Sequence, residues 1–367
     1  MPKRKPTPRP ANKANTPRQP AAKRKALSAC VFEADIVPGL EAIAAQELRD
    51  YAGVTLLASD QERNQDALRF HYRGAVKDLL QLRSVVAVYA LQDFAIARPK
   101  ALLGQQHWQR LLEMQQQVCA QGSFDSFRFS AAGSDSSVFQ RLAQAFQEAS
   151  GLRYDPEEGE LLLRIRRVGD LWQLLWRLSP RPLTARAWRQ CNMPGGLNAS
   201  VAVAMLQLAR LQPADRLFNP MCGSGTLCVE AALSLPSRAI VGCDIRPEAV
   251  ACSLENLRAA SCTHVTIDCA DATKLEHPPQ SVDVIVADLP WGDAVGSHQD
   301  NALLYPAFLQ EMARISKPGG RCVLLSHELR LCERIFGEMR RLWRLQESLQ
   351  LFHGGHYPKA YVLERLT

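Results

Sequence analysis

The sequence lacks any apolar run that approaches the length of a membrane-spanning helix. The longest run in the 367 residues, around Ala199 to Leu206, falls far short of the roughly 18 residues that a membrane span needs. Basic residues open the chain, but no apolar segment follows the lysines, which argues against a secretory signal. A hydrophobic content of 47% is ordinary for a globular protein and favours two or three packed domains with no membrane partner.

Closely paired cysteines are also lacking. The 11 cysteines are an odd number and include no Cys-x-x-Cys pair, which argues against a zinc ribbon and against a disulfide framework. Several of them, among them Cys228, Cys243 and Cys322, lie within apolar runs, where reduced cysteine behaves as a small hydrophobic residue. We therefore expect reduced cysteines, no bound metal and a reducing, cytoplasm-like compartment.

Acidic residues are absent from the first 26 positions, which hold nine of the 44 lysines and arginines. Because the net charge of the whole chain is +7, the remainder is close to neutral. Six prolines and few large apolar residues predict that residues 1–27 form a disordered tail. Such a tail either holds a polyanion loosely through counterion release or serves solubility or targeting, and the sequence favours neither.

Two small α+β units are predicted before the largest domain. In residues 28–95 the apolar spacing gives a strand, a helix, two strands, a second helix around Ala75 to Leu82 and a last strand, which is a ferredoxin-like order. In residues 96–181 two helices flank a strand that runs into a Gly/Ser-rich loop, and a hairpin turns at Gly169-Asp170.

Arginines are concentrated at the end of the second unit. Residues 161–190 contain seven arginines and a single acid. Arg164 and Arg166 alternate with apolar residues and so share one face of a strand. The cluster is either a phosphate-contacting surface for a nucleic acid or a solvated strand face. The candidate phosphate contacts are Arg164, Arg166, Arg186 and Arg189.

Strands and helices alternate in residues 182–367, and most of the strands are continuous apolar runs. This pattern is typical of a parallel sheet that helices cover on both faces, the doubly wound, Rossmann-like α/β fold. Ligands of such sheets bind beyond the carboxyl ends of the strands, so the residues that follow each strand are the candidates for a site.

A glycine loop follows the first of these strands. It reads Asn219-Pro220-Met221-Cys222-Gly223-Ser224-Gly225-Thr226, and it lacks both the third glycine of the dinucleotide motif and the lysine of a P-loop. Asp244 ends the next strand about 20 residues on, where an acid binds a ribose. Backbone N–H groups at the start of a helix also suit a carboxylate.

These features favour S-adenosylmethionine (SAM), which carries a carboxylate and a ribose, over NAD. Asp244 would take the ribose hydroxyls, and Asp271, after the third strand, would lie at the adenine amino group. The predicted cofactor-binding residues are Asn219, Pro220, Cys222, Gly223, Ser224, Gly225, Thr226, Asp244, Ile245, Asp271, Ala272 and Asp288. Turn glycines and capping aspartates that bind no ligand are the structural alternative.

The fourth strand delivers Asp288-Leu289-Pro290-Trp291. An exocyclic amino group of a nucleobase is a poor nucleophile, because its lone pair is delocalised into the ring. The Asp288 carboxylate and the Leu289 carbonyl are suitable acceptors for its protons and would orient it toward a methyl donor. Pro290 stiffens the turn, and the Trp291 ring offers a stacking surface for a flipped base. The competing interpretation is a capping aspartate beside a core tryptophan.

Taken together, these residues resemble the THUMP-domain RNA methyltransferases that modify the 2-amino group of guanosine. "GLEAIAAQEL" (39–48) and "LRSVVAVY" (82–89) are similar to the N-terminal ferredoxin-like domain of that family, and "PLTARAWR" (182–189) to the exit from its THUMP domain. "NPMCGSGTLCVEAA" (219–232) resembles the SAM loop, and "DLPWGDAVGSHQDNALLYPAFLQEMARISKPGG" (288–320) resembles the catalytic segment.

The resemblance implies an α/β Rossmann-like methyltransferase domain at residues 182–367, preceded by the tail 1–27, a ferredoxin-like domain at 28–95 and a THUMP domain at 96–181. It implies SAM as the cofactor, no metal, and a guanine held by the catalytic set Asp288, Leu289, Pro290 and Trp291. The THUMP domain would grip the acceptor stem and 3′ end of a tRNA, with a guanosine of the position 6 type as the target, and we expect a monomer.

One motif departs from the family pattern. Asp-Leu-Pro-Trp stands where many members have Asn-Pro-Pro-Tyr/Phe, and this form is more similar to the tRNA-modifying members than to the ribosomal ones. The alternatives are a ribosomal RNA guanosine-N2 methyltransferase, an adenine-amino methyltransferase acting on nucleic acid, and a THUMP-type RNA-binding protein without catalytic activity.

Overall fold

The structure is a computed structural model that describes residues 27, 30–57, 66–235, 239–291, 297–352 and 354–367. The tail predicted for residues 1–27 lies outside these ranges except for Leu27, which packs into the N-terminal core. No helix within the described ranges is long and apolar enough to cross a membrane.

The N-terminal half, residues 31–177, is an α+β unit built on one mixed sheet. Its strands are β1 (Val31–Asp35), β2 (Val54–Leu56), β3 (Ala67–Tyr72), β4 (Ala87–Phe94), β5 (Ser126–Ser130), β6 (Arg153–Tyr154), β7 (Leu161–Val168) and β8 (Leu171–Arg177). Its α-helices are α1 (Glu41–Asp50), α2 (Gln105–Cys119) and α3 (Ser137–Ser150). The strands that the structure describes lie in the order β2-β3-β1-β4-β8-β7-β5-β6.

Strand β4 joins the two predicted small units, because it pairs with β1 on one side and with β8 on the other. The units also share a hydrophobic core, in which Phe32 and Phe70 belong to the same cluster as Phe127 and Phe146. The boundary predicted between residues 95 and 96 therefore does not separate two cores. Pairing of this kind satisfies two strand edges that would otherwise face water.

Local structure in this half agrees with the sequence in one place and corrects it in another. The hairpin predicted at Gly169-Asp170 is present, and Gly169 takes the positive φ (58°) that a tight turn of this kind needs. The helix predicted around Ala75 to Leu82 is instead a 3-10 helix over Val76–Gln81. Six residues are too few to offset the cost of nucleating an α-helix, and burial of Leu79 holds the tighter form in place.

The C-terminal half, residues 199–365, is an α/β domain, as predicted. Its helices are α4 (Ala199–Leu208), α5 (Thr226–Ser234), α6 (Pro247–Ala259), α7 (His298–Ile315) and α8 (Leu329–Glu338). Its strands are β9 (Arg216–Pro220), β10 (Ala239–Asp244), β11 (Thr266–Cys269), β12 (Val282–Asp288), β13 (Ser316–Ser326), β14 (Trp343–Gln350) and β15 (Lys359–Arg365).

The described strands of this domain have the order β11-β10-β9-β12-β13-β15-β14. The strands β9 to β13 pair in parallel, and β15 runs antiparallel between β13 and β14. The prediction of a doubly wound, mostly parallel sheet is confirmed. Helix α8 and strand β14 were not predicted. The signal for α8 was present, since Leu329, Cys332, Ile335 and Phe336 have helical spacing, whereas β14 is mostly exposed and polar.

A buried ion-pair cluster holds the two halves together. Glu230 on α5 is fully buried, and its carboxylate accepts from Arg83 Nε at 2.9 Å and from Arg186 Nε at 2.7 Å. Arg186 Nη2 also donates to the Arg83 carbonyl at 2.7 Å. A buried carboxylate is tolerated only when it is paired, so this cluster specifies how the α/β domain sits on the first half.

Two of the arginines predicted to contact phosphate lie on β7 and have acidic partners on β1. Arg164 makes a two-pronged ion pair with Asp35, at 3.0 and 2.6 Å, and Arg166 Nη2 lies 2.5 Å from the fully buried Glu33. Burial alone would lower the pKa of Arg164, but the net shift is upward because of Asp35. Carboxylates on β1, three strands away in the sheet, therefore balance the charge of these two arginines, and their contact with phosphate stays a prediction.

One pair of cysteines departs from the expectation that all of them are reduced. Cys191 and Cys252 form a disulfide between the segment that enters the α/β domain and α6, with their Cα atoms 5.4 Å apart. The sequence separation of 61 residues hides the pairing from any local motif. Most of the other cysteines are buried small hydrophobic residues, as predicted, and burial raises the pKa of Cys243 to about 12.

Candidate active site

The carboxyl ends of β9, β10, β11 and β12 meet at one edge of the sheet and surround a cavity of about 310 Å³. All of the predicted catalytic and cofactor-binding residues line this cavity except Pro220 and Gly225. The four motifs lie far apart in the sequence and come together here because parallel strands end on the same side of a sheet.

The glycine loop turns sharply between β9 and α5. Met221, Gly223 and Gly225 have positive φ values of 55°, 56° and 76°. A Cβ on Gly225 would lie 2.9 Å from Ser253 Oγ, so the loop passes too close to α6 for any side chain. Gly225 thus shapes the loop rather than lining the cavity, and Pro220, the last residue of β9, is buried in the sheet. Their contact with the cofactor stays a prediction.

The side chains of the loop mostly hold the loop itself. Asn219 Nδ2 donates to the Val286 carbonyl at 2.7 Å and ties β9 to β12. Ser224 and Thr226 are buried with their hydroxyls 3.3 Å apart, and Cys222 is buried nearby. The loop therefore presents mainly backbone to the cavity, as a loop that receives a carboxylate requires.

Asp244, at the end of β10, is buried and is oriented by the loop. Its Oδ2 accepts from the Gly223 N–H at 2.9 Å, and its Oδ1 accepts from the Arg246 N–H at 3.1 Å and from Arg246 Nε at 3.3 Å. Each carboxylate oxygen has two lone pairs, so acceptor capacity is left for a hydroxyl group. The neighbouring Ile245 is 64% exposed at the cavity, which is unusual for a large apolar side chain.

Asp271 follows β11 on the same side of the cavity. Its Oδ1 accepts from the Thr273 N–H at 2.8 Å and from Thr273 Oγ1 at 2.7 Å. These hydrogen bonds lower the pKa of Asp271, so this carboxylate is ionised at neutral pH. Ala270 and Ala272 flank it and give the cavity a small, apolar wall.

Asp288, at the end of β12, has the opposite electrostatic character. Burial raises the pKa of its carboxyl to about 7, although the hydrogen bond from Trp291 lowers it. Trp291 Nε1 donates to Asp288 Oδ1 at 3.1 Å. A carboxylate with a pKa near neutrality can accept a proton at physiological pH, which an ordinary aspartate does poorly.

A neighbouring side chain lies against one face of the Trp291 ring. His327 lies against it with ring centroids 3.6 Å apart at an angle of 32°. Trp291 is partly buried and also lines the cavity. The ring is therefore partly covered, and stacking of a base on it stays a prediction.

The turn between Asp288 and Trp291 is fixed by helix α7. The Pro290 carbonyl accepts from Asn301 Nδ2 at 2.9 Å and from Tyr305 OH at 2.8 Å. The Leu289 N–H donates to the carbonyl of Leu325 on β13 at 3.0 Å. These three hydrogen bonds tie the two central residues of the turn to α7 and β13.

Several lining residues were missed by the sequence analysis. They are Met193, Pro194, Gly195, Gly196, Leu197, Met221, Leu227, Arg246, Ala270, Asp300, Asn301 and Leu304. Helix α7 starts at His298, and its first turn brings Asn301 into the site. The signal was present, since Ser297 is an N-cap residue whose Oγ accepts from the Asp300 N–H.

The other two arginines predicted to contact phosphate, Arg186 and Arg189, have partners within the fold near the cavity. Arg186 is held by Glu230, and Arg189 Nη2 donates to the Leu197 carbonyl at 2.9 Å and to Thr226 Oγ1 at 3.1 Å. Burial lowers the pKa of Arg189. These contacts brace the segment at residues 193–197 against the start of α5. Contact of the four arginines with RNA stays a prediction.

Known proteins resemble this chain in sequence and in structure. Residues 186–359 match the family UPF0020, the RMKL-like methyltransferase domain. The chain is 30% identical over 230 residues to the tRNA (guanine(6)-N2)-methyltransferase of Thermus thermophilus, a match that covers 62% of this chain and 68% of that protein. The chain belongs to the RNA guanine-N2 methyltransferase family.

Two further comparisons agree with this family. The chain is 32% identical over 185 residues to the tRNA (guanine(6)-N(2))-methyltransferase THUMP3 of Bos taurus, which covers 47% of this chain. The chain spans only 37% of that longer relative. The crystal structure of TrmN from Thermus thermophilus superposes with a TM-score of 0.73 at 25% identity and covers 92% of this chain and 99% of that one.

Proposed function

We propose that this protein transfers a methyl group from SAM to the exocyclic 2-amino group of a guanosine in RNA, with tRNA as the substrate. The observation that carries the proposal is the meeting of the glycine loop and the Asp288-Leu289-Pro290-Trp291 turn in one cavity. Membership of the RNA guanine-N2 methyltransferase family and the tRNA (guanine(6)-N2) specificity named for its relatives support it.

The residues at the cavity fit SAM. Asp244 retains acceptor capacity for ribose hydroxyls, and the exposed Ile245 offers an apolar surface of the kind that an adenine ring covers. Asp271 is ionised at neutral pH and lies beside small apolar residues, which suits an adenine amino group. The backbone of the loop at Gly223 is open, since no atom lies within 4 Å of the position of a Cβ.

When bound, SAM would supply a methyl group on a positively charged sulfur, and the rest of the chemistry falls to this chain. The guanine amine needs acceptors for its protons, because its lone pair must leave conjugation with the ring before it can attack. Asp288 accepts one of those protons, and its pKa of about 7 allows it to keep the proton that the amine releases. The stiff turn at Pro290 holds this acceptor in position.

The remaining features of the proposal concern the substrate and its surroundings. We infer a guanosine at position 6 of the acceptor stem as the target, a monomeric enzyme, a THUMP domain within residues 96–181 that grips the 3′ end, and a cytoplasm-like location. The first half is joined rigidly to the α/β domain through Glu230, so RNA bound there would have a fixed distance to the cavity.

The test is an assay with labelled SAM and unmodified tRNA, followed by digestion to nucleosides and chromatography. We expect label in N2-methylguanosine at one position of the tRNA. Label in methyladenosine or methylcytidine would refute the guanosine assignment, and binding of SAM in calorimetry without any transfer would favour a non-catalytic RNA-binding protein.

A further inference from the structure

At the proposed active site, the side-chain oxygen of Asn301 has no hydrogen-bond partner among the described residues. The residue is 1% exposed and lines the cavity together with Asp288. Among the residues that the structure describes, no group donates to its Oδ1, and this oxygen is buried. Buried carbonyl oxygens are nearly always hydrogen-bonded, so an unpaired one at a ligand cavity points to a partner that the ligand brings.

The orientation of this side chain is set by its amide nitrogen. Asn301 Nδ2 donates to the Pro290 carbonyl at 2.9 Å and to Glu328 Oε1 at 3.2 Å. Both of these partners are acceptors only, so the nitrogen cannot exchange places with the oxygen. Oδ1 is therefore held as an acceptor and cannot turn to offer a donor instead.

Guanine and adenine differ at the atom next to the amino group. Guanine presents two kinds of donor side by side on its Watson–Crick edge, the N1–H and the 2-amino group, whereas N1 of adenine is an acceptor. A cavity lined both by a carboxylate for the amino group and by a fixed carbonyl acceptor matches guanine. When N1 of the base is an acceptor, its lone pair would face the lone pairs of this carbonyl oxygen, and the two would repel each other.

We propose that Asn301 Oδ1 accepts the N1–H of the target guanine and so selects guanine when the 2-amino group lies at Asp288. This inference rests on the proposed function and names the residue that sets its base specificity. Asp288 would then act on the amino group, while Asn301 reads the neighbouring atom and anchors the catalytic turn through Pro290.

The test compares two RNAs in kcat/KM. One is the native tRNA sequence, and the other carries 2,6-diaminopurine in place of the guanosine that the wild-type enzyme methylates. This base keeps the 2-amino group but has a lone pair at N1. We expect the wild type to favour guanine by about 100-fold, since a site built for a donor rejects a base that lacks it. The Asn301→Ala variant should reduce this preference to about 10-fold or less.

A merely structural role of Asn301 would lower the activity on both RNAs equally and leave the ratio unchanged, which would overturn the proposal. The matched control is Tyr305→Phe, which removes the other donor to the Pro290 carbonyl and should leave the preference intact. Asn301→Ser serves in the same assay if the alanine variant does not fold.

Methylation of the two RNAs by the wild-type enzyme is an independent test. Equal methylation of both bases would overturn the role of Asn301 and leave the proposed function standing. Failure to methylate any guanosine would refute the proposed function, and the inference with it.

Discussion

Replacement of Asp288 by asparagine should remove activity and at the same time stabilise the protein. The residue is half-buried at the cavity wall, and desolvation raises the pKa of its carboxyl to about 7 from an ordinary value of 3.8. This difference means that ionising Asp288 costs about 4 kcal/mol more in the folded state than in the unfolded chain. Asparagine keeps the shape and the acceptor for the Trp291 N–H, but it carries no charge to desolvate.

The pH dependence follows from the direction of the pKa shift. Because the folded pKa is higher than the unfolded one, the unfolded chain loses its proton first as the pH rises. Between pH of about 4 and about 7 the ionised unfolded state is favoured, so the free energy of unfolding of the wild type falls across that window. We expect Asp288→Asn to be about 2 to 4 kcal/mol more stable than the wild type at pH 8 and equal to it near pH 4.

Urea unfolding of both proteins at several pH values measures this difference, and a methyl-transfer assay should show a loss of at least about 100-fold in kcat. Asp283 lies on the same strand and is the matched control. Burial alone would raise its pKa, but Lys317 and the Arg216 N–H lower it overall. Asp283→Asn should therefore lose stability at neutral pH and retain activity. A stability difference for Asp288→Asn that is absent or constant with pH would refute the reasoning.

Three further substitutions test the remaining contacts of the site. Trp291→Phe removes the N–H that lowers the pKa of Asp288, so the midpoint of the profile of kcat/KM against pH should move to higher pH, and an unmoved midpoint would contradict this role. Arg189→Ala should weaken SAM binding in calorimetry by about 10-fold, because the side chain hydrogen-bonds Leu197 and Thr226 at the cavity. The salt dependence of tRNA binding should stay the same, and a smaller salt slope would instead indicate that Arg189 contacts a phosphate directly. Gly225→Ala should lower the free energy of unfolding by about 1–3 kcal/mol and should weaken SAM binding more than Gly223→Ala does. The reason is that a Cβ at residue 225 would contact Ser253, whereas a Cβ at residue 223 would contact nothing, and equal effects of the two variants would contradict it.

The sequence by itself determined the α/β fold and most of the cavity. The apolar runs predicted parallel strands, and the rule that such strands end at one edge brought Asp244, Asp271 and Asp288 together without knowledge of the coordinates. This succeeded because each motif directly follows its own strand, so its place depends on local spacing and on strand direction alone. The hairpin at Gly169 was predictable for the same reason.

Only the tertiary structure decided which partners the charged and polar groups have. The acid that pairs with Arg166 is Glu33, which lies 133 residues earlier, and the two meet only because β4 joins two units into one sheet. The stacking of His327 on Trp291 and the unpaired Oδ1 of Asn301 depend likewise on how α7 and β13 pack beside β12. Spacing within a sequence predicts the face of a strand, whereas the free energy of a buried charge or carbonyl depends on the neighbours that packing supplies.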